Sequence, residues 1–201
     1  MDRRRRTELV EIAVTGELTQ SEQEICQRLL DVPPGGACVL YFNSPGGSSY
    51  TGLALMSLLL FRDLNATAVV TGECSSAALW PFAACRRRLV TPHSVLLFHP
   101  IRWESAERVG LAEAAEWARH FGELEADMDR LLVELLGGPP ETIYGWIQAH
   151  RHVSGRELAQ AGLAELVELA TLPLFGPDTV VSPSRRTNSS SRARRQRAGL
   201  P

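Results

Sequence analysis

A strand-length apolar run, a turn of small residues and an apolar helical stretch follow one another twice in this chain. The first unit is Ala37-Cys38-Val39-Leu40-Tyr41-Phe42, then Asn43-Ser44-Pro45-Gly46-Gly47-Ser48, then Tyr50 to Phe61. The second is the β-branched run Ala66-Thr67-Ala68-Val69-Val70-Thr71, then Gly72-Glu73-Cys74-Ser75-Ser76, then Ala77 to about Cys85. Uninterrupted apolar runs of this length suit strands buried on both faces. Alternation of such strands with helices predicts an α/β fold.

The remaining pattern extends the same organisation. Leu9 to Val14 reads as a strand ended by Gly16, and Thr19 or Ser21 is a candidate cap for a helix running to Leu30. Arg88-Leu89-Val90 and Ser94 to Phe98 read as short strands. A long amphipathic helix is predicted over 106–136, stopped by Gly137-Gly138-Pro139-Pro140. Its apolar stripe is Leu124, Met128, Leu131 and Leu135, read either as packing on the chain's own core or as a subunit contact. A helix over 141–149 follows, and Ser154-Gly155-Arg156-Glu157 is a capping box opening a helix to Ala161. Leu166 to Glu168 closes the pattern as a last strand. Residues 1–6 read as a basic arm, 7–176 as one domain, and 177–201 as a disordered tail rich in serine and arginine.

Charge and composition exclude several classes. With 44% apolar and 22% charged residues in 201, the chain is long enough for one globular core. All 21 basic residues are arginine, so no mechanism can use a catalytic lysine. Segment 7–178 holds 11 arginines against 22 acids, a poor match for nucleic acid. No apolar run reaches the ~18–20 residues of a membrane-spanning helix. The N-terminus is not a secretory signal, which makes a cytoplasmic location the expectation. Cys26, Cys38, Cys74 and Cys85 show no metal spacing and read as small buried side chains.

Three elements carry candidate chemistry. Each small-residue turn follows a strand and precedes a helix, so it aims backbone N–H groups and a helix's positive end at one spot. Ser76 is either the N-cap of its helix or a nucleophile. His99, at the end of the run Val95–Phe98, is either a satisfied edge residue or a base brought to the same end of the sheet.

These residues resemble the Clp protease proteolytic subunits, the ClpP-like serine peptidases. Tyr41-Phe42-Asn43-Ser44-Pro45-Gly46-Gly47-Ser48 is similar to that family's strand and N-S-P-G-G loop. Gly72-Glu73-Cys74-Ser75-Ser76-Ala77-Ala78 resembles its nucleophile turn, with Ser76 at the serine position. Ser94-Val95-Leu96-Leu97-Phe98-His99 resembles its S-x-x-x-x-H strand, and the 29-residue step from Gly47 to Ser76 fits. The likeness covers roughly residues 8–168. It implies the ClpP/crotonase-like fold, with 106–136 as a long projecting helix. It also implies a serine endopeptidase in which Ser76 attacks, His99 is the base, and the N–H groups of Gly47 and Ala77 form the oxyanion hole. No cofactor or metal is implied.

The chain departs from the family at the third catalytic position. The family's aspartate precedes a short segment that here reads His150-Arg151-His152-Val153-Ser154-Gly155, which puts His150 in the aspartate's place. His99 also abuts Pro100 directly, and Pro81 sits early in the helix after Ser76. The implied partners are a peptide or unfolded-protein substrate, further copies of the chain in a homo-oligomeric ring, and an AAA+ unfoldase ATPase. For the ATPase, about seven residues ahead of the first strand leave little docking segment. Two other readings stand beside the peptidase. One is a weak or inactive subunit serving ring assembly. The other is an acyl-CoA enzyme of the related crotonase fold, for which Glu73 is the acid nearest the second turn.

Overall fold

The structure, a computed structural model, describes residues 9–103 and 108–169. The arm at 1–6, the tail at 177–201 and the expected helix start at Ala106 lie outside the described residues.

Strand β1 (Val10–Glu17) leads into helix α1 (Leu18–Asp31), strand β2 (Ala37–Gly46) into α2 (Ser49–Phe61), and strand β3 (Asn65–Cys74) into a single 3-10 turn, Ser76–Ala78, and α3 (Leu79–Ala84). Then come β4 (Arg87–Val90), β5 (Val95–Leu97), α4 (Leu111–Leu136), α5 (Pro140–Gln148), β6 (His152–Ser154), α6 (Gly155–Gln160) and β7 (Glu165–Leu166). The main sheet runs β1-β2-β3-β4-β7, all parallel. Side chains of β2 and β3 are buried along most of their length, as the continuous apolar runs require. β5 leaves this sheet, pairing parallel with β3 at Glu73 and antiparallel with β6.

Several local expectations are corrected. β2 does not stop at Phe42 but continues through Gly46, with a register irregularity between Phe42 and Ser44 on the β3 side. The small residues permit this: buried Ser44 donates to the Gly16 carbonyl and accepts from Gly46 N–H. Neither Thr19 nor Ser21 caps α1, which begins at Leu18. Thr19 Oγ1 instead accepts from Ser48 N–H at 3.0 Å, and Ser21 Oγ donates back to the Glu17 carbonyl. The helix after Ser76 opens as a 3-10 turn, and Pro81 falls within the first turn of α3, where its missing N–H costs little. Half of the expected capping box at Ser154 forms: Ser154 Oγ accepts from Glu157 N–H at 3.2 Å, while the Glu157 carboxylate pairs with Arg151 instead of reaching back.

Helix α4 starts at Leu111, after non-helical 108–110. Its buried residues, Met128, Leu132, Val133 and Leu136, all lie in the C-terminal half, and residues 111–120 are all exposed. The expected stripe is therefore buried at Met128 alone, while Leu124, Leu131 and Leu135 lie at its half-buried margin. Arg88 fastens the end of this helix. Its guanidinium donates to the carbonyls of Leu135 and Leu136, and also to those of Ala83, Cys85 and Leu163. Five rigidly forked donors suit such convergence of carbonyls from three segments.

Candidate active site

The site forms at the carboxyl ends of β2 and β3, the edge where parallel α/β sheets open toward ligands. β3 ends at fully buried Cys74, and Ser75 is extended. Ser75 is a structural pivot: its N–H donates to the Ser44 carbonyl, and its Oγ accepts from Leu97 N–H at 3.2 Å. The chain then turns sharply, because Ser76 adopts φ +55°. A non-glycine residue in this region carries backbone strain, which persists only where the surroundings fix it. Here the Ser75 carbonyl accepts from Ala78 N–H at 3.0 Å, and the buried Cys74 thiol donates to the Ala78 carbonyl. The turn presents Ser76 half-exposed at the head of the 3-10 turn, while Ser75 stays 1% exposed.

His99 arrives from the other side. Buried Ser94 donates to the Val70 carbonyl at 2.9 Å, which ties the start of β5 to β3. Phe98 is fully buried against Trp146 of α5 with ring centroids 5.3 Å apart, and its N–H donates to the Arg151 carbonyl. The next residue, His99, places Nε2 2.8 Å from Ser76 Oγ. Its Nδ1 lies 2.5 Å from the Pro100 carbonyl oxygen. A carbonyl can only accept, so Nδ1 carries the proton and Nε2 is free to accept from the serine hydroxyl. Ser76 Oγ thus faces an imidazole rather than capping its own helix.

His150 is brought close by β6 but does not take the hydrogen-bonding place of the family's aspartate. It occupies the left-handed position ending α5, with φ +52°. Its N–H donates to the Ile147 carbonyl and Arg151 N–H to the Trp146 carbonyl, the paired bonds of a Schellman helix end. The His150 ring stacks on His99 with centroids 6.3 Å apart and planes 21° apart, and its Nδ1 lies 3.5 Å from Arg102 Nη2. The partner of His99 Nδ1 is the Pro100 main chain, a group that carries no side-chain signature.

Glycines shape the remaining wall. Gly46 has φ +99°, and a Cβ there would lie 2.7 Å from Ser75 O, 2.7 Å from Ser76 Cβ and 3.0 Å from Ala77 N. Its missing side chain keeps the space over the Ala77 amide open. Gly47, Ser76, Ala77 and His99 all line one cleft of about 340 Å³. Among the acids of the described residues only Asp129 of α4 enters the lining of this cleft, a residue not singled out from the sequence. Burial, helped by Glu125 one turn earlier, pushes its carboxyl up to about 6. Cys74, two residues from Ser76, is no rival nucleophile: burial first, then Cys85 and Glu73, hold its thiol far above the ordinary range. Among the described residues no cluster of side chains could hold a metal ion, and no helix is long and apolar enough to cross a membrane.

Fold and site together define a parallel α/β domain that carries a serine–histidine pair at its strand ends. Comparison with known proteins agrees. A model of the Clp protease family matches residues 7–169, and the chain belongs to that family. It is 30% identical over 132 residues to an ATP-dependent Clp protease proteolytic subunit of Ostreococcus tauri, spanning 64% of each chain. It is 28% identical over 129 residues to subunit 1 of Mycobacterium leprae, spanning 63% of each. The match thus covers less than two thirds of these relatives' length. In three dimensions it is similar to a ClpP1 point mutant from Listeria monocytogenes, with TM-score 0.67 and 20% identity over 79% of this chain and 91% of that one. This likeness establishes the ClpP/crotonase-like fold.

Proposed function

We propose that the chain is a serine endopeptidase of the ClpP type, acting on peptides or unfolded protein in the cytoplasm. The observation that carries this reading is the 2.8 Å approach of His99 Nε2 to Ser76 Oγ, with Nδ1 protonated toward the Pro100 carbonyl. Ser76 Oγ attacks the scissile carbonyl as its proton passes to Nε2. The N–H groups of Gly47 and Ala77 receive the oxyanion. His99 then protonates the leaving amine, and water releases the acyl group by the reverse proton route.

The third position sets the expected level of activity. A neutral carbonyl fixes the tautomer but stabilises the imidazolium less than a carboxylate, whose loss from such a triad costs about 10⁴-fold. His150 adds ring packing against His99. That difference favours, as a second reading, a slow subunit retained for assembly. The exposed N-terminal half of α4, with Leu111 90% exposed, supports homo-oligomerisation into a ring under either reading. An AAA+ unfoldase is a candidate partner of such a ring.

The test is hydrolysis of short fluorogenic peptides by the purified chain, with sedimentation of the same sample. Turnover that is lost in Ser76→Ala supports the peptidase. A ring-sized particle without turnover supports the assembly reading, and a monomer at micromolar concentration refutes the ring.

A further inference from the structure

The cleft beside Ser76 has a composition that the proposed chemistry does not use. Three aromatic rings line it: Tyr50 at the start of α2, Trp80 of α3, and Trp103 beyond β5. Tyr50 and Trp103 meet edge to face with centroids 6.2 Å apart, and Trp103 stacks on Phe121 of α4. The stacking fixes one wall of the cleft to the helix that carries Asp129. Trp80 is 6% exposed, and its indole nitrogen is buried without a hydrogen-bond partner among the described residues.

Asp129 lines the same cleft as these rings. No hydrogen bond or ion pair reaches Asp129 among the described residues, and the two arginines of α4, Arg119 and Arg130, are paired with other acids of the helix. The other titratable or charged groups of the lining are Tyr50, His99 and Arg102. Arg102 is exposed, its Nη2 lies 3.5 Å from His150 Nδ1, and it forms no ion pair with Asp129 among the described residues. A half-buried carboxylate repelled by Glu125 is relieved by a cation, and aromatic faces attract the same charge.

We infer that this cleft is a subsite for a cationic side chain, arginine or lysine, on the residue whose carbonyl Ser76 attacks. The inference rests on the peptidase reading for its register on the substrate, but not for the existence of the subsite. Asp129 is its specificity residue, and Tyr50 and Trp103 flank the aliphatic stem and the charged head. An apolar side chain in the same place would leave the carboxylate desolvated and unpaired, which is how a buried polar group rejects the wrong ligand.

Two measurements on the intact assembly test it. In the first, the Ser76→Ala form is titrated with matched labelled peptides that carry arginine, citrulline or leucine at the site-facing position. Arginine should bind about tenfold or more tighter than citrulline, its neutral isostere, as expected for a charge-assisted contact. The preference should disappear in Ser76→Ala/Asp129→Asn, survive in Ser76→Ala/Asp129→Glu, and fade as pH drops through about 6. Equal affinity for arginine and citrulline overturns the subsite whether or not the chain cleaves peptides. In the second, kcat/KM is compared for arginyl and leucyl fluorogenic substrates in the wild type and in Asp129→Asn. The arginyl-to-leucyl ratio should exceed one and fall about tenfold in the variant. Selective binding without any hydrolysis would refute the peptidase reading and leave the subsite standing. A melting curve confirms that each variant is folded, and a leucyl preference in the wild type overturns the proposal.

Discussion

Gly46→Ala isolates the link between backbone geometry and the site. At φ +99° an alanine is strained by about 1–3 kcal/mol irrespective of space. Its Cβ would also sit 2.7 Å from both Ser75 O and Ser76 Cβ, and 3.0 Å from Ala77 N. Two of these neighbours are main-chain atoms, so no side-chain rotation relieves the overlap. The Ser75–Ala77 turn must move by several tenths of an ångström, on the order of what real Cβ contacts demand. That displacement acts on the 2.8 Å Ser76–His99 contact and on the Ala77 amide together. Misplacing one oxyanion donor alone costs about 10²–10³ in kcat. We expect a loss of at least that size in the folded fraction, with a stability loss of about 2–4 kcal/mol. Gly137→Ala is the control. Gly137 has φ +72° but nothing within 4 Å of the added Cβ, so it should cost about 1 kcal/mol and leave turnover intact. Peptidase assays corrected for folded protein, together with denaturant melts, separate the two effects. Wild-type turnover in Gly46→Ala, or equal losses in both variants, would refute the reasoning.

Three further outcomes follow from particular contacts. Ser75→Ala should cost about 1 kcal/mol by stranding Leu97 N–H, yet retain turnover within about tenfold; abolished turnover would contradict its purely supporting place. His150→Asp should fold, since aspartate tolerates the left-handed helix end, and should raise kcat by about 10- to 100-fold, less than the full carboxylate effect because the Pro100 carbonyl already holds the tautomer. An unchanged kcat would mean that position 150 does not act on His99. Arg88→Met should lower stability by about 3 kcal/mol, and Arg88→Lys should not rescue it, because one ammonium cannot span carbonyls from α3, α4 and the turn after α6; full rescue in a thermal melt would refute the clamp.

The parts of the site legible in the sequence are those in which side-chain type states the role. The repeated strand–turn–helix units made the α/β class readable, and the places of Ser76 and His99 just after apolar strands offered both to one end of the sheet. The cap at Ser154 was readable because Ser154 and the Glu157 amide are local, whereas the Glu157 carboxylate turns to Arg151. What stayed hidden depends on long-range or main-chain partners. β6 is three residues long and exists through its pairing with β5, which no local pattern records. Thr19 and Ser21 look like caps, but Thr19 serves the Ser48 amide of a loop 29 residues away. The partner of His99 Nδ1 is a carbonyl, and every residue has one. Likewise His150 aligned with an aspartate by motif, whereas its backbone is committed to closing α5. The burial of α4 through Met128, Leu132, Val133 and Leu136 follows from where Arg88 and α5 hold the helix, a tertiary fact that rotated the apolar stripe.

The central claim is that the hydroxyl of Ser76 is activated by His99. The most direct measurement is covalent labelling with a fluorophosphonate probe, followed by mass spectrometry of the modified peptide. A single adduct on Ser76 is expected, absent in Ser76→Ala, sharply slowed in His99→Ala and retained in Ser75→Ala. Labelling at Ser75, or labelling of Ser76 at an undiminished rate in His99→Ala, would contradict it.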